Sequence, residues 1–288
     1  MSNAGTAPKL SSARVVDEGV RKAQEDPLIT GRFARGEGWQ PPDAPSWPED
    51  YERGRPGWPA EVADIPGLAP GATVLELGAG TGKLTRVLEG RYRTVTVEPA
   101  PTMRRILKGT CPGAEIVGGS AEQIPIAHGS AGGVFAAEAF HRFNAEPALA
   151  QMASVLAPHG VLVLMWNIPA GPWHPNVDRA ETLLLKRAPG SREELGYDPV
   201  DLSSARVESG EWQVPFAESP FGEIQERRIV HRQTLDRDGL VAFYASMGWL
   251  AYMPEADRGA LLNEVRSMLE EDQYERLWEA RLYCTWLK

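Results

Sequence analysis

The chain has 288 residues, 42% of them hydrophobic, and a formal net charge of −9. That is enough apolar material for a sizeable core and excludes a disordered chain. The acidic balance, with no lysine–arginine cluster, excludes a duplex-binding face and makes nucleic acid an unexpected partner.

In chain order, the opening "MSNAGTAPKLSSARVV" holds no apolar run of the signal-peptide kind. Residues 1–45 read as a flexible leader and arm. No window approaches the roughly 18 apolar residues of a membrane span, so the expectation is a soluble, cytoplasmic protein with no membrane partner. The stretch "GWQPPDAPSWPEDYERGRPGWP" (38–59) sets prolines between Trp39, Trp47 and Trp58. Proline lacks an N–H and holds its predecessor extended. The stretch therefore reads as a rigid arm rather than a helix, lying across the main body to bury its tryptophans. Residues 46–288 are expected to form a single domain, with 168–221 as a substrate-covering insertion rich in Pro, Gly and Trp.

Short apolar strands are predicted at 73–77, 94–98, 115–117, 133–137 and 161–166, and helices between them at 83–88, 101–107 and 147–156. This alternation means an α/β fold with a parallel sheet, whose ligands bind at the strand C-terminal edge. Within the insertion a helix is predicted near 177–187, and Trp173 and Trp212 favour a cover. A strand at 223–232 contains the densest basic run, "ERRIVHR", which alternates like a solvated edge. Helices at 236–247 and 254–269 and a β-rich strand, "LYCTWLK", close the chain. Cys111 and Cys284 form no CxxC pair, zinc spacing or disulfide framework, and no metal is expected.

The stretch "VLELGAGTGKLT" (74–85) is a strand, a glycine turn and a helix start. Glycines there let a backbone press against a ligand. The dinucleotide fingerprint G-x-G-x-x-G fails, because Lys83 or Thr85 stands at the third glycine. The phosphate loop fails too, with Leu77 at its first glycine and Leu84 at its hydroxyl position. Glu98 ends the next strand about 20 residues after Gly78, the spacing of a ribose-binding acid; a helix-cap acid would occupy the same place. Glu76, inside an apolar strand, needs a partner.

These features resemble the class I S-adenosylmethionine-dependent methyltransferases, in the small-molecule branch with an N-terminal Tyr/Arg-Pro arm. The resemblance runs in order through "VLELGAGTGKLT", "VTVEP", "MRRIL", "GSAEQIP", "GGVFAAEAFHRF" and "LAPHGVLVLMWN", in which His159 stands where a glycine is common. "DYERGRPGWP" is similar to that branch's arm, and "LDRDGLVAFYASMGWL" and "MPEADRGALLNEVRSML" to its C-terminal helices. It implies a Rossmann-like fold: a mostly parallel seven-stranded sheet, an antiparallel strand near the C-terminus, and helices on both faces.

The resemblance also implies the cofactor S-adenosylmethionine, with S-adenosylhomocysteine as product. Its binding residues would be Glu76, Gly78, Ala79, Gly80, Gly82, Glu98, Pro99, Met103, Ser120, Ala121, Glu122, Glu138 and Ala139. Met103 suits either the adenine face or the core under its helix. His141 follows the fourth strand and is the candidate general base, against a structural histidine held by a loop carbonyl. Tyr51, Arg55, Phe140, Arg142, Trp166, Asn167 and Trp173 are the candidate acceptor-pocket residues, with His174 beside them. The expected function is in-line methyl transfer to a small-molecule acceptor at O, N or C. A non-methylating relative that uses the cofactor in a reaction such as cyclisation, and a cofactor-binding module without turnover, are the competing readings.

Overall fold

The computed structural model describes residues 45–171, 177–188 and 207–288. The expected leader, Trp173 and His174 lie outside the described residues. Seven strands form one sheet: β1 (Thr73–Leu77), β2 (Arg93–Val97), β3 (Glu115–Val117), β4 (Ala131–Ala137), β5 (Leu156–Pro169), β6 (Gln225–Asp236) and β7 (Gln273–Trp286), in the order β3-β2-β1-β4-β5-β7-β6. β1 pairs parallel with β2 and β4, and β4 with β5. β7 runs antiparallel to both β5 and β6, so one strand opposes the rest. The chain moves outward from β1 through β2 to β3, then returns to β4 on the other side. A topological switch point therefore lies between β1 and β4, where open α/β sheets bind ligands.

Period-2 alternation divides the core between two faces. Leu75, Leu77, Val134, Ala136, Leu162, Leu164 and Trp166 pack on one side. Leu149, Met152 and Val155 of α4 (Ala145–Val155) cover them. Val74, Phe135, Val161, Val163 and Met165 pack on the other side, against Leu84 and Leu88 around α2 (Thr85–Leu88). A third cluster joins α5 (Asp178–Arg187), α6 (Arg237–Ala245), α7 (Gly248–Ala251) and α8 (Glu255–Met268) to Tyr274 and Trp278 of β7. α3 (Pro101–Thr110) follows β2, and its Met103 packs with Trp47, Ala100 and Ala251.

Several boundaries move. The helix expected at 83–88 is the single turn α2, preceded by turn residues. α3 runs on to Thr110, and α4 ends at Val155 rather than 156. β5 begins at Leu156, but its ladder breaks: β4 advances from Ala131 to Gly133 while β5 advances from Leu156 to Val161. The strand expected from 161 is where regular pairing resumes. β7 starts at Gln273, nine residues before the expected 282. Its first half alternates exposed and buried (eBeBeBiB), the pattern of a strand with one wet face. β6 is the sheet edge, as its charged alternation predicted, and Arg232 pairs with Glu275 of β7.

The arm needs a correction. Trp47–Gly54 is an α-helix, α1, not an extended segment. Pro48 stands in its first turn, where a missing N–H costs nothing. Glu49 and Asp50 sit at the positive end and Arg53 at the negative end of the helix dipole. Asp50 N closes the first turn on Ser46 O at 2.9 Å. Arg55, before Pro56, is extended and ends the helix. The arm does bury tryptophan: Trp47 is 3% exposed and donates its indole N–H to Ser246 O at 3.1 Å. Gly54 permits the docking, since a Cβ there would stand 2.1 Å from Phe243 N of α6.

Candidate active site

The glycine turn follows β1 and Glu98 follows β2, side by side. Glu98 is buried, and its carboxylate accepts from Gly80 N and Ala100 N, each at 2.8 Å. Burial raises its pKa, opposed by these backbone donors. A carboxylate has about four acceptor positions; two are filled by backbone, leaving capacity for a pair of vicinal hydroxyls.

The turn's glycines divide their work. Gly80 is left-handed (φ 58°), and a Cβ there would meet nothing within 4 Å, so its surface is open to a ligand. Gly82 (φ 93°) lies against α3, where a Cβ would stand 2.6 Å from Cys111 Sγ and 2.7 Å from Leu107 Cδ1. Its need for glycine comes from packing. A Cβ on Gly78 would stand 2.8 Å from the Cβ of Ala139, so the ends of β1 and β4 touch at the switch point. Beneath the turn, Glu76 accepts from Thr85 Oγ1 at 2.7 Å, and burial pushes its pKa to about 8. The partner it required is thus within the turn's own helix.

After β4, Glu138 adopts φ 52°, a left-handed conformation unusual for a residue with a side chain. Strain of this sort, on the order of 1–3 kcal/mol, gathers at functional sites. Its N–H donates to Met165 O at 2.9 Å, and its Oε1 accepts from Asn167 N at 2.7 Å. Asn167 in turn donates to Gly57 O at 3.2 Å and meets His231 Nε2 at 2.8 Å. The ends of β4 and β5, the arm and the edge strand are joined through this one residue, by its backbone N–H and its side-chain amide.

Tyr51, Arg55 and Arg142 stand around Glu138. Burial raises the Tyr51 pKa, opposed by Arg55; burial lowers Arg55, opposed by Tyr51 and Glu138. Burial likewise lowers Arg142, opposed by Tyr51 and Tyr252. All three nonetheless keep partial exposure. These three partly exposed side chains interact electrostatically with the same group, Glu138. Arg55 is fixed there by Ser246 Oγ (2.7 Å) and by the rings of Tyr51 and Phe243, 5.7 and 5.2 Å from its guanidinium carbon.

The remaining candidates are placed as follows. Phe140 is buried against Phe143 and Phe216. Trp166 is 1% exposed under Trp212 and Tyr283, and its indole N–H donates to His141 Nδ1 at 3.3 Å. Trp212 of the insertion packs against Trp166, with ring centroids 5.2 Å apart. Met103 is 2% exposed beneath the arm. Pro99 is exposed, and its carbonyl accepts from Arg104 at 2.7 Å. Ser120 bridges to Gln123, Ala121 is buried, and Glu122 accepts from Asn144 N at 2.8 Å, ordering the start of α4. Sequence reasoning missed Lys83, Glu52 and Ser246, which tie the arm to the turn and to the end of α6. Lys83 Nζ donates to Glu52 O at 2.7 Å, and Arg86 pairs with Glu52 at 3.0 Å. Among the described residues no helix is long and apolar enough to cross a membrane, and no cluster of metal-ligating side chains occurs.

A glycine turn joined to the acid of the next strand, at the switch point of a sheet with one reversed strand, defines a Rossmann-like methyltransferase fold. The family described as a methyltransferase domain matches residues 75–164. An uncharacterized methyltransferase of Mycobacterium tuberculosis is 34% identical over 220 residues, covering 76% of this chain and 82% of that protein. An uncharacterized methyltransferase-like protein of Schizosaccharomyces pombe is 28% identical over 217 residues, 73% of this chain and 78% of that one. A solved chain from Anaeromyxobacter dehalogenans, described as a candidate type II methyltransferase, shares the fold with a TM-score of 0.54 at 18% identity, covering 80% of this chain and 97% of that chain. The chain belongs to the class I S-adenosylmethionine-dependent methyltransferases.

Proposed function

We propose that this enzyme transfers the methyl group of S-adenosylmethionine to a small-molecule acceptor held between the ends of β4 and β5 and the arm. The observation that carries the reading is the continuity of two half-sites: Glu98 and Gly80 on one side of the switch point, and Glu138, Arg142, Tyr51 and Arg55 on the other. The first half fits an adenosine. Gly80 opens the turn, and Glu98 has acceptor capacity left for the ribose hydroxyls. Ala79, Gly78, Ala139 and the 120–122 loop border it, with Met103 and Pro99 behind.

The second half fits the methionine moiety and the acceptor. Glu138 and the two guanidinium groups supply opposite charges for an ammonium and a carboxylate. When bound, S-adenosylmethionine would supply an electrophilic methyl on a sulfonium: an acceptor lone pair would bond to the methyl carbon as its C–S bond breaks, with the thioether S-adenosylhomocysteine as leaving group. The protein's own contribution is orientation and exclusion of water. α1 roofs the cleft, held by Trp47, Gly54 and Lys83. Tyr51 and Arg55 on that roof reach the acceptor, as does Arg142 from below. A roofed cleft supports a small acceptor over a macromolecular one, and the net charge of −9 gives no attraction for nucleic acid.

Two measurements test this. Calorimetric titration with S-adenosylhomocysteine is expected to show one tight site. Incubation with methyl-labelled S-adenosylmethionine and a fractionated metabolite extract is expected to label a low-molecular-weight product. Label appearing only in protein or nucleic acid, or cofactor consumed with no label in product, would sink the reading.

A further inference from the structure

The chain leaves α1 at Gly54 and becomes extended at Arg55, before Pro56. A helix end leaves its last carbonyls without donors from the helix, and proline has no N–H to give. Two side chains of β6 answer this need. Gln233 Nε2 donates to Gly54 O at 2.8 Å, while Gln233 Oε1 accepts from Trp278 Nε1 at 3.0 Å. Asn167 Nδ2 donates to Gly57 O at 3.2 Å, and its Oδ1 meets His231 Nε2 at 2.8 Å. A carbonyl only accepts, so the Gly57 contact sets which way the Asn167 amide faces. Its oxygen then faces His231, and Nε2 is the donor whether the ring is neutral or charged. His231 and Gln233 stand two residues apart, on the inward face of β6. They hold the carbonyls on either side of Arg55, Gln233 directly and His231 through Asn167. An open groove of about 380 Å³ runs between residues 57–59 and 231–234. Packing there is incomplete, and hydrogen bonds carry more of the attachment.

We infer that His231 and Gln233 are positioning residues for methyl transfer: from the sheet edge they clamp both ends of the Arg55 turn and so fix the guanidinium presented to the acceptor. β5 and β7 separate β6 from β4, so neither side chain belongs to the strand ends at the switch point. Their route to the site is the arm. Arg55 Nε donates to Ser246 Oγ at 2.7 Å, which fixes the far end of the side chain. The clamp fixes its backbone. Asn167 adds a second hold, because its N–H donates to Glu138 Oε1 at 2.7 Å. One residue thus sets Gly57 of the arm and Glu138 after β4 in register. In-line displacement depends on how the acceptor is oriented, and a guanidinium held at both ends orients it.

The part in methyl transfer rests on the proposed function; the clamp does not, and it is read on the ligand-free protein. Hydrogen–deuterium exchange of the full chain, followed by mass spectrometry, compares the amides of residues 51–59 with those of α4 and α8. His231→Leu removes the donor to Asn167. Gln233→Glu keeps the acceptor for Trp278 but offers Gly54 O no N–H. Each is expected to speed exchange in 51–59 by roughly 5- to 10-fold, the loss of about one hydrogen bond, with α4 and α8 unchanged. His231→Gln, whose amide nitrogen can stand where Nε2 stood, is expected to restore the wild-type rate. With methyl-labelled S-adenosylmethionine and the fractionated extract, His231→Leu is expected to lower labelled product roughly 10-fold, while affinity for S-adenosylhomocysteine stays within about threefold. Unchanged exchange in 51–59, or His231→Gln exchanging as fast as His231→Leu, overturns the clamp. Labelled product at the wild-type rate from a loosened arm overturns the positioning role. Should His231→Leu not fold, Gln233→Glu decides by the same readings. A wild-type protein that binds no S-adenosylhomocysteine removes the proposed function and the role in transfer with it, and exchange still decides the clamp.

Discussion

Lys83 Nζ donates to the main-chain oxygen of Glu52 at 2.7 Å, tying the glycine turn to the arm helix that covers it. Lys83 is largely buried, which lowers its pKa to about 8, so the tie holds a charged amine at some desolvation cost. A hydrogen bond from a charged donor contributes roughly 1.5–3 kcal/mol before that cost is taken off. Lys83→Met keeps the apolar stem and removes both the bond and the penalty. Its unfolding free energy at pH 7 is expected to stay within about 1 kcal/mol of wild type, because the two terms oppose. Its affinity for S-adenosylhomocysteine is expected to fall roughly 3- to 10-fold, as the arm loses its hold on the turn. Unchanged affinity by titration calorimetry would mean that the arm does not close over the cofactor.

Glu98 sits between two backbone donors, Gly80 N and Ala100 N. Glu98→Gln replaces one acceptor oxygen with an amide that meets one of these N–H groups donor to donor. The turn is disturbed and a ribose partner is lost together. Each unmet polar group costs about 1–3 kcal/mol, so the dissociation constant for S-adenosylhomocysteine is expected to rise by roughly 100-fold or more. A change under fivefold would return Glu98 to the bland role of capping the chain before α3.

The sheet, the glycine turn and the acid after β2 were legible in the sequence because local pattern and tertiary demand agree there. Buried strands are apolar, the turn needs left-handed glycine, and the acid that follows β2 is held by backbone N–H groups of the turn and of the start of α3. The arm helix was illegible for the opposite reason. Proline suppresses helix in the interior but is welcome in the first turn, and only the docked position on α6 reveals which applies. The first half of β7 was missed because alternating Glu, Arg and aromatic residues also suit a helix face. The hydrogen-bond partners of His141 and Asn167 lie 25 or more positions away, and no spacing rule reaches them.

By the family resemblance His159 stands where a glycine is common, and its φ of 62° gives the physical reason. It is exposed, in the looped-out part of β5 before Val161. The left-handed conformation costs a side-chain-bearing residue about 1–2 kcal/mol, and glycine's greater unfolded-state freedom returns up to about 1 kcal/mol of that. His159→Gly is therefore expected to stabilise the protein by roughly 0.5–1 kcal/mol, raising the thermal midpoint by about 1–4 °C. Cofactor affinity is expected to be unaltered. A lower midpoint would show that the imidazole makes a contribution larger than the backbone strain.

Glu76 supplies a pH dependence with a definite sign. Its folded-state pKa of about 8 lies above the ordinary 4.5, chiefly because burial penalises the charged form. Between those values the unfolded chain releases the proton and the folded chain keeps it. Stability from this group is therefore complete below about pH 4.5 and is lost progressively as pH rises to about 8. Glu76→Gln has no proton to lose, and its carbonyl can still accept from Thr85 Oγ1. The variant and the wild type are expected to melt at similar temperatures near pH 5. The variant is expected to gain as pH rises, with a difference on the order of a few kcal/mol by pH 8. Denaturant or thermal unfolding of both proteins across pH 5–8 measures it. Parallel curves would mean that Glu76 is ionised in the folded protein and that the buried carboxylate has a cationic partner beyond Thr85.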